Sequence, residues 1–199
     1  MIQGGRFNEF YGWDSYFEAL GLLVDGRMEL ARAMVDNFCY EIEHYGKILN
    51  ANRSYYLTRS QPPFLTDMIA QISHTIQEKM NQGSDLESLN QSPYIITDTK
   101  GLNIWRYQGL RASIKELFSV WLDSPRLCPQ TGLSRYYTEG IGMPIETESE
   151  HFDHILKPYA DKFEMDLDTL KEKYLNEELC IPELDHYFVH DRGIRESII

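Results

Sequence analysis

The sequence is poor in cysteine and lacks long apolar runs. Its three cysteines, Cys39, Cys128 and Cys180, are odd in number and widely scattered, which excludes a disulfide framework or a zinc knuckle and indicates buried or free thiols in a reducing compartment. No apolar run approaches the length of a membrane-spanning helix. No leader of charged and then apolar residues precedes Gly4. We therefore expect a soluble cytoplasmic protein without a membrane partner.

Positive charge is also scarce. Lys and Arg number 19 against 31 Asp and Glu, which gives a formal net charge of −12. A surface of that sign repels nucleic acid and anionic membranes, and it favours a neutral ligand over a phosphorylated one. Solubility alone would also account for the charge. The composition therefore predicts no nucleic-acid partner and leaves a neutral small molecule open.

Alternation typical of β-strands is rare, with weak candidates only at 55–57 and 94–97. Apolar residues instead recur every three or four positions, which predicts helices. We predict helices from Asp14 to Gly26, over 30–46, from Pro62 to Met80, over 110–122, from Thr147, and from a cap at either Asp166 or Asp168. Polar loops at 45–61, 81–108 and 124–146 separate them. The pattern indicates one all-α domain over 1–199, built of helical hairpins, in which loops this long usually carry function.

The same spacing predicts which face of each helix lies inward. For the first helix these residues are Phe17, Leu20, Gly21 and Val24. For the second they are Leu30, Ala33, Met34, Phe38 and Ile42. For the third they are Leu65, Met68, Ile69, Ile72, Ile76 and Met80. For the fourth they are Ile114, Leu117, Phe118 and Trp121.

The stretch 3–16 mixes aromatic rings with charged side chains. It reads Gln-Gly-Gly-Arg-Phe-Asn-Glu-Phe-Tyr-Gly-Trp-Asp-Ser-Tyr. The two adjacent glycines permit a tight turn that frees Arg6 to point into a cavity. Flat rings suit the C–H face of a pyranose, while carboxylates and a guanidinium bind its hydroxyls. From the residues alone, the stretch is either a sugar site or an irregular lead-in to a helix whose aromatics belong to the core.

Two further segments carry polar side chains suited to a sugar. The segment 50–63 reads Asn-Ala-Asn-Arg-Ser-Tyr-Tyr-Leu-Thr-Arg-Ser-Gln-Pro-Pro, and its many directed donors could satisfy several hydroxyls at once. It would serve equally as a solvated lead-in to the helix that the prolines open. The segment 143–147 reads Met-Pro-Ile-Glu-Thr, and its Glu146 taken alone would be a helix-start carboxylate.

Together these segments resemble the trehalases, the glycoside hydrolases of family 37. The first is similar to the signature Pro-Gly-Gly-Arg-Phe-x-Glu-x-Tyr-x-Trp-Asp-x-Tyr at every fixed position except the first, where Gln3 replaces proline. The second resembles Asn-x-Asn-Arg followed by Ser-Gln-Pro-Pro, with Ala51 where many members carry glycine. The third resembles a Pro-x-Glu step. The resemblance covers nearly the whole chain in order and fits best the cytosolic neutral trehalases of fungi.

The resemblance implies an (α/α)6 toroid, of which this chain is the N-terminal part. It also implies a glycosidase that hydrolyses α,α-trehalose to two glucoses with inversion, and neither a cofactor nor a metal. The substrate-binding positions that it implies are Arg6, Trp13, Asp14, Asn50, Arg59, Ser60, Gln61, Glu146 and Arg195.

The run 191–199 bears on catalysis. It reads Asp-Arg-Gly-Ile-Arg-Glu-Ser-Ile-Ile and resembles the approach to Glu-Ser-Gly-x-Asp in trehalases, whose aspartate protonates the leaving glucose. Ile198 and Ile199 replace the glycine and the next residue, and neither that acid nor the later general base is present. Inverting hydrolysis needs both carboxyl groups, roughly 6.5–9.5 Å apart. We therefore expect a truncated chain with the binding half of a site, inactive alone.

Other interpretations stay open. The chain could bind a sugar or a partner without hydrolysing anything, or belong to another glycosidase of this fold that acts on a different α-glucoside. An incomplete toroid would expose an apolar edge, which predicts self-association. His186 and His190 have the spacing of a zinc pair, but no third ligand is suggested. The segment 161–172 has Phe163 and Met165 where a calcium loop needs oxygen ligands, so we predict no metal site.

Overall fold

The computed structural model describes residues 8–53, 56–91, 94–137, 150–184 and 188. The chain divides into two compact units, Met1–Tyr137 and Thr138–Ile199, and each has its own hydrophobic core. The single domain over 1–199 therefore stays a prediction. No helix in the described ranges is both long and apolar enough to cross a membrane.

The larger unit contains α1 (Gly12–Val24), α2 (Met28–Tyr45), α3 (Leu65–Asn81) and α4 (Thr99–Glu116). A π-helical turn, Leu117–Trp121, continues α4. Between α3 and α4 lie a 3-10 turn (Glu87–Leu89) and a two-stranded antiparallel sheet of β1 (Asn90–Gln91) and β2 (Tyr94–Ile95). In its register, Asn90 pairs with Ile95 and Gln91 with Tyr94.

The helices α2 and α3 lie where the sequence predicts helices. In α2 the predicted inward residues Met34, Phe38 and Ile42 are buried, whereas Leu30 and Ala33 are half-buried. Gly46 ends α2 with a φ of 80°, a left-handed conformation that glycine adopts without the steric cost of a Cβ. The buried residues of α3 include all but Met80 of the predicted inward face: Leu65, Met68, Ile69, Ile72 and Ile76. The helix begins at Leu65 and not at the predicted Pro62, since Pro62 and Pro63 lie before its N-cap residue Phe64.

The predicted inward face of α1 is wrong. Phe17 is 58% exposed and Val24 87% exposed. The buried residues of the helix are instead Gly12, Ser15, Ala19 and Leu22. Small side chains let α1 approach its neighbours closely, so the contact face of this helix is not its most apolar face.

The predicted loop at 81–108 is too long, and the fourth helix begins earlier than predicted. The helix α4 begins at Thr99, because Asp98 caps it by accepting a hydrogen bond from the Gly101 N–H at 2.7 Å. Its buried residues are Leu102, Trp105, Gly109 and Glu116. The predicted inward residues Ile114, Leu117 and Phe118 are exposed, whereas Trp121 is buried as predicted.

Gly109 explains why α4 turns this face toward α3. A Cβ at Gly109 would lie 2.6 Å from Cδ1 of Ile69, which is much closer than carbon atoms approach one another. The two helices therefore meet where α4 has no side chain. The inward face of α4 includes a glycine and a glutamate. Hydrophobic periodicity therefore does not predict which face of this helix is buried.

The smaller unit contains α5 (Asp153–Lys162) and α6 (Leu167–Leu175). Of the two predicted caps, Asp166 is the one that caps α6, since its Oδ1 accepts from the Thr169 N–H at 2.9 Å. The core of this unit consists of Leu156, Ala160, Leu170, Tyr174, Ile181, Leu184 and Phe188. The helix start predicted at Thr147 lies outside the described residues.

Candidate functional site

Short backbone pairings bring together two of the segments singled out from the sequence. Tyr11 pairs with Ala51 and Leu49 pairs with Ser60, each in an isolated antiparallel bridge. Next to the second bridge, the Asn50 N–H donates to the carbonyl of Arg59 at 3.2 Å. These pairings place the start of α1 beside both ends of the loop that precedes α3.

Gln61 connects the two segments through its side chain. Its Oε1 accepts a hydrogen bond from the backbone N–H of Trp13 at 2.6 Å. Its Nε2 donates to Oδ1 of Asn50 at 3.4 Å. Gln61 is buried, so these bonds form away from bulk water. The structure therefore joins Trp13, Asn50 and Gln61, three of the positions predicted to bind substrate.

Gly12 makes this arrangement possible. A Cβ at this position would lie 3.0 Å from Gln61 Oε1 and 3.2 Å from both Gln61 Cβ and Ile48 Cγ2. Such distances are tighter than ordinary contacts, so any larger residue would displace the Gln61 side chain. Glycine at the first position of α1 is therefore required by close approach.

Trp13 and Asp14 lie in the first turn of α1. The side chain of Trp13 is exposed and Asp14 is half-buried. The N-terminus of a helix carries partial positive charge, which stabilises the Asp14 carboxylate there. The exposed indole provides a flat apolar surface, and the Asp14 carboxylate in the same helical turn provides an acceptor for a hydroxyl.

Arg59 lies against aromatic rings. Its guanidinium carbon is 5.2 Å from the centroid of the buried Tyr56 ring, within the range of a cation–π contact. Burial raises the pKa of Tyr136, and the positive charges of Arg59 and Arg126 act in the opposite direction. Tyr136 and Arg126 thus lie near Arg59, although no sequence motif singled them out.

Ser60 is fully buried. Its hydroxyl has no hydrogen-bond partner among the described residues. The remaining predicted positions, Arg6, Glu146 and Arg195, lie outside the described residues.

A salt bridge that sequence reasoning missed ties the same segments together. Arg53 donates from Nε and Nη2 to Oε1 of Glu9, at 3.0 and 2.9 Å. The hydrogen bond from Arg53 lowers the pKa of Glu9. Next to this pair, the Phe10 N–H donates to Oδ1 of Asn52 at 2.7 Å. Glu9 thus holds the loop in place. The opposite charges of Glu9 and Arg53, one in each motif, could have predicted this salt bridge from the sequence.

The described residues contain no group of three or more His, Cys, Asp or Glu side chains that could hold a metal ion. His186 and His190 lie outside them. All three cysteines are free thiols, as predicted. Burial raises the pKa of Cys39 to about 12, which keeps this thiol protonated and unreactive.

The fold and the site define a class: a mostly helical protein whose aromatic and polar side chains meet at the start of α1 and on the loop before α3. The trehalase family model matches residues 1–198, and the chain belongs to the trehalase family. The family inferred from the motifs is thereby confirmed.

Curated relatives are similar over almost the whole chain. The cytosolic neutral trehalase of Neurospora crassa is 53% identical over 197 residues, which cover 99% of this chain and 24% of the relative. The cytosolic neutral trehalase of Saccharomyces cerevisiae is 50% identical over 196 residues, 98% of this chain and 24% of the relative. The chain thus spans about a quarter of the length of these relatives.

A solved structure is similar as well. Neutral trehalase Nth1 from Saccharomyces cerevisiae matches with a TM-score of 0.75 and 49% identity, over 98% of this chain and 32% of that chain. The predicted fold class is therefore confirmed: the chain is all-α and corresponds to part of the (α/α)6 toroid of trehalases.

Proposed function

We propose that this chain provides part of the sugar-binding surface of an α,α-trehalase, a cytoplasmic enzyme that hydrolyses trehalose to two glucoses with inversion. The observation that carries the proposal is the pair of Gln61 hydrogen bonds, to the Trp13 N–H and to Asn50. These bonds bring the backbone of Trp13, whose side chain is exposed, close to the Asn50 side chain. The family membership and the names of the relatives support the choice of substrate.

Each described side chain has a chemical role in this proposal. The Trp13 ring packs on the C–H face of a glucose unit, while Asp14 and Asn50 bind its hydroxyls. Arg59 provides a planar fork of donors that is always charged. Gln61 keeps one donor hydrogen and one acceptor lone pair for the sugar. Ser60 is fully buried, and Arg6, Glu146 and Arg195 complete the proposed set.

We infer that the 199 residues alone bind trehalose without hydrolysing it. A general acid and a general base each contribute roughly 10²–10⁴-fold to such a reaction, and the resemblance assigns neither group to this chain. A folded chain that releases glucose from trehalose would contradict the inference. Calorimetric titration with trehalose, with maltose as the control disaccharide, measures binding directly. Equal affinity for maltose would favour a different α-glucosidase of the same fold.

A chimera tests whether these residues support hydrolysis. In it, this chain replaces the matching 197-residue segment of the Neurospora crassa relative, which supplies the rest of the enzyme. We expect the chimera to release glucose from trehalose. Arg59→Lys should lower kcat/KM by about tenfold or more, because lysine keeps the charge and loses the planar fork.

Arg27→Lys is the matched control for this substitution. Arg27 is exposed and pairs with Glu29 of its own segment, at 2.6 Å, away from the candidate site. The control should keep the parent rate. Equal losses in the two variants, or no loss in Arg59→Lys, would remove Arg59 from the proposed site.

A further inference from the structure

Two buried carboxyl groups lie beneath the loop that carries Asn50. Glu41 belongs to the last turns of α2, and Glu116 is the last residue of α4. Glu41 is 7% exposed and Glu116 is 2% exposed. Acidic side chains are rarely buried to this degree unless a specific partner holds them.

The partners of the two carboxyl groups are consecutive backbone amides. The Ile48 N–H donates to Oε1 of Glu116 at 2.8 Å, and the Leu49 N–H donates to Oε2 of Glu41 at 3.0 Å. Ile48 and Leu49 are themselves buried, so without these bonds both amides would lack an acceptor in a dry environment. One glutamate from each of two helices therefore holds two adjacent residues of a third segment.

This contact continues directly into the candidate site. Asn50 follows Leu49 and donates its N–H to the Arg59 carbonyl. Leu49 is also paired with Ser60, and Gln61 reaches back to Asn50. The backbone at 48–50 is thus fixed at three successive amides, by Glu116, Glu41 and Arg59. A displacement of the backbone at Ile48 and Leu49 would therefore move Asn50 and the Gln61 side chain that is bonded to it.

We propose that Glu41 and Glu116 are positioning residues for the Asn50 and Gln61 side chains, and that ionisation of both carboxyl groups loosens that positioning and weakens sugar binding. The statement on binding rests on the proposed function. The positioning itself does not, since it concerns only contacts within the larger unit.

The charges around the pair fix the direction of the effect. The pKa of both Glu41 and Glu116 is raised to about 7, chiefly by burial, and the charge of Glu116 contributes to the rise at Glu41. The amides that they accept from act in the opposite direction, as do Arg126 and Lys47 near Glu116. Two buried anions repel each other and attract water, so the double negative state favours separation of the segment 48–50 from the two helices.

The protonated pair has no such repulsion and still accepts both amides through its carbonyl oxygens. We therefore expect the segment to be held most tightly below neutral pH. Above neutral pH, the amides of Ile48 and Leu49 should open to solvent more often.

Nuclear magnetic resonance on the 199-residue chain tests the positioning. The side-chain amide signals of Asn50 and Gln61 should shift with a midpoint near pH 7 between pH 5.5 and 8.5. Hydrogen exchange at Ile48 and Leu49, corrected for its intrinsic dependence on pH, should become faster over the same range. Signals that stay constant through this range would overturn the proposal without any variant.

Glu41→Gln and Glu116→Gln give a second test. Glutamine has the shape of the protonated acid and can accept the same amide hydrogen bond, but it cannot ionise. Each variant should abolish or strongly reduce the titration seen at Asn50 and Gln61. Glu43→Gln is the matched control, because Glu43 lies on the same helix, is 61% exposed and pairs with Lys115 at 3.0 Å. Titration that persists unchanged in both test variants would contradict the proposal.

Trehalose titration separates the positioning from the proposed function. In the wild-type chain, affinity should fall by roughly threefold or more from pH 6 to pH 8, since one pKa unit represents a tenfold change in proton affinity. In Glu41→Gln the affinity should stay nearly constant. A chain whose Asn50 and Gln61 signals titrate but which binds no trehalose at any pH would remove the proposed function and leave the positioning role in place.

Discussion

The backbone N–H of Trp13 lies 2.6 Å from Oε1 of Gln61, although 48 positions separate the two residues in sequence. The residue before α1, Tyr11, makes no side-chain hydrogen bond to cap the helix. Gln61 therefore serves as the acceptor that a capping side chain would normally provide. The start of α1, which bears Trp13 and Asp14, is thus held by the same side chain that orients Asn50.

Two substitutions of Gln61 should distinguish its contribution to the stability of the chain from its contribution to trehalose binding. Gln61→Ala leaves the Trp13 N–H without its acceptor, and we expect it to lower the free energy of unfolding by about 1–2 kcal/mol. Gln61→Glu keeps the acceptor and adds a negative charge at the helix N-terminus, where it is favourable. It also removes the donor to Asn50. We therefore expect Gln61→Glu to be more stable than Gln61→Ala and to bind trehalose more weakly than the wild-type chain.

Urea unfolding and calorimetry measure these two effects on the same samples. Equal stability of the two variants would show that the contact with Trp13 contributes nothing to the helix. Unchanged trehalose affinity in Gln61→Glu would show that the orientation of Asn50 does not depend on the Gln61 donor.

Two glycines of α1 provide a matched pair for a second prediction. Gly12→Ala should push Gln61 aside, because the new Cβ would lie 3.0 Å from its Oε1. Gly21→Ala places its Cβ where nothing lies within 4 Å, and it should stabilise the helix by up to about 1 kcal/mol. Thermal unfolding should therefore move in opposite directions for the two variants. Trehalose binding should weaken only in Gly12→Ala, and a loss in both would contradict the steric explanation.

The parts of the fold that the sequence predicts well are those where apolar residues face inward. The helix α3 is an example, since its inward face is a run of leucine, isoleucine and methionine. The faces of α1 and α4 could not be predicted in this way. Their inward residues include Ser15, Gly109 and Glu116, while Phe17 and Phe118 are exposed. Close helix approach and a buried acid are tertiary properties that hydrophobic periodicity does not report.

The candidate site likewise contains residues that the sequence predicts and residues that it does not. Family motifs identified Trp13, Asn50 and Gln61, and the structure brings these residues together. Glu41 and Glu116 belong to no motif, and each resembles an ordinary surface charge on its helix. Only the packing of α2 against α4 reveals that both carboxyl groups face the backbone at 48–50.

The stability of the chain should depend on pH through these two acids. The ordinary pKa of a glutamate is 4.5, and burial raises that of Glu41 and Glu116 to about 7 in the folded state. The folded state therefore binds protons more readily than the unfolded state between these values. The free energy of unfolding should fall as pH rises from about 4.5 to about 7, and level off above.

One unit of pKa shift corresponds to about 1.4 kcal/mol, so the decrease should be on the order of a few kcal/mol for the coupled pair. Urea unfolding at pH 5.5 and pH 8 measures it. Glu116→Gln should stabilise the chain more at pH 8 than at pH 5.5, because the cost of burying the ionisable group grows with pH between about 4.5 and about 7. Stability that rises between the two pH values in the wild-type chain would contradict this prediction.

The last prediction concerns an exposed apolar stripe on α4 and the π-helical turn that follows it. Its members are Ile104, Tyr107, Leu110, Ile114, Leu117 and Phe118, each at least 41% exposed. Their spacing of mostly three or four places them along one side of the helix. Contiguous apolar surface of this kind favours association, so we expect the isolated chain to form oligomers whose mass increases with concentration in light scattering.

The double substitution Tyr107→Lys and Phe118→Lys should reduce this association, because it places two charges within the stripe. Val24→Lys is the control: Val24 is 87% exposed and lies at the end of α1, outside the stripe. It introduces a lysine in place of an exposed apolar residue without touching the predicted contact. A wild-type chain that stays monomeric at every concentration would contradict the prediction, as would equal effects of the two changes.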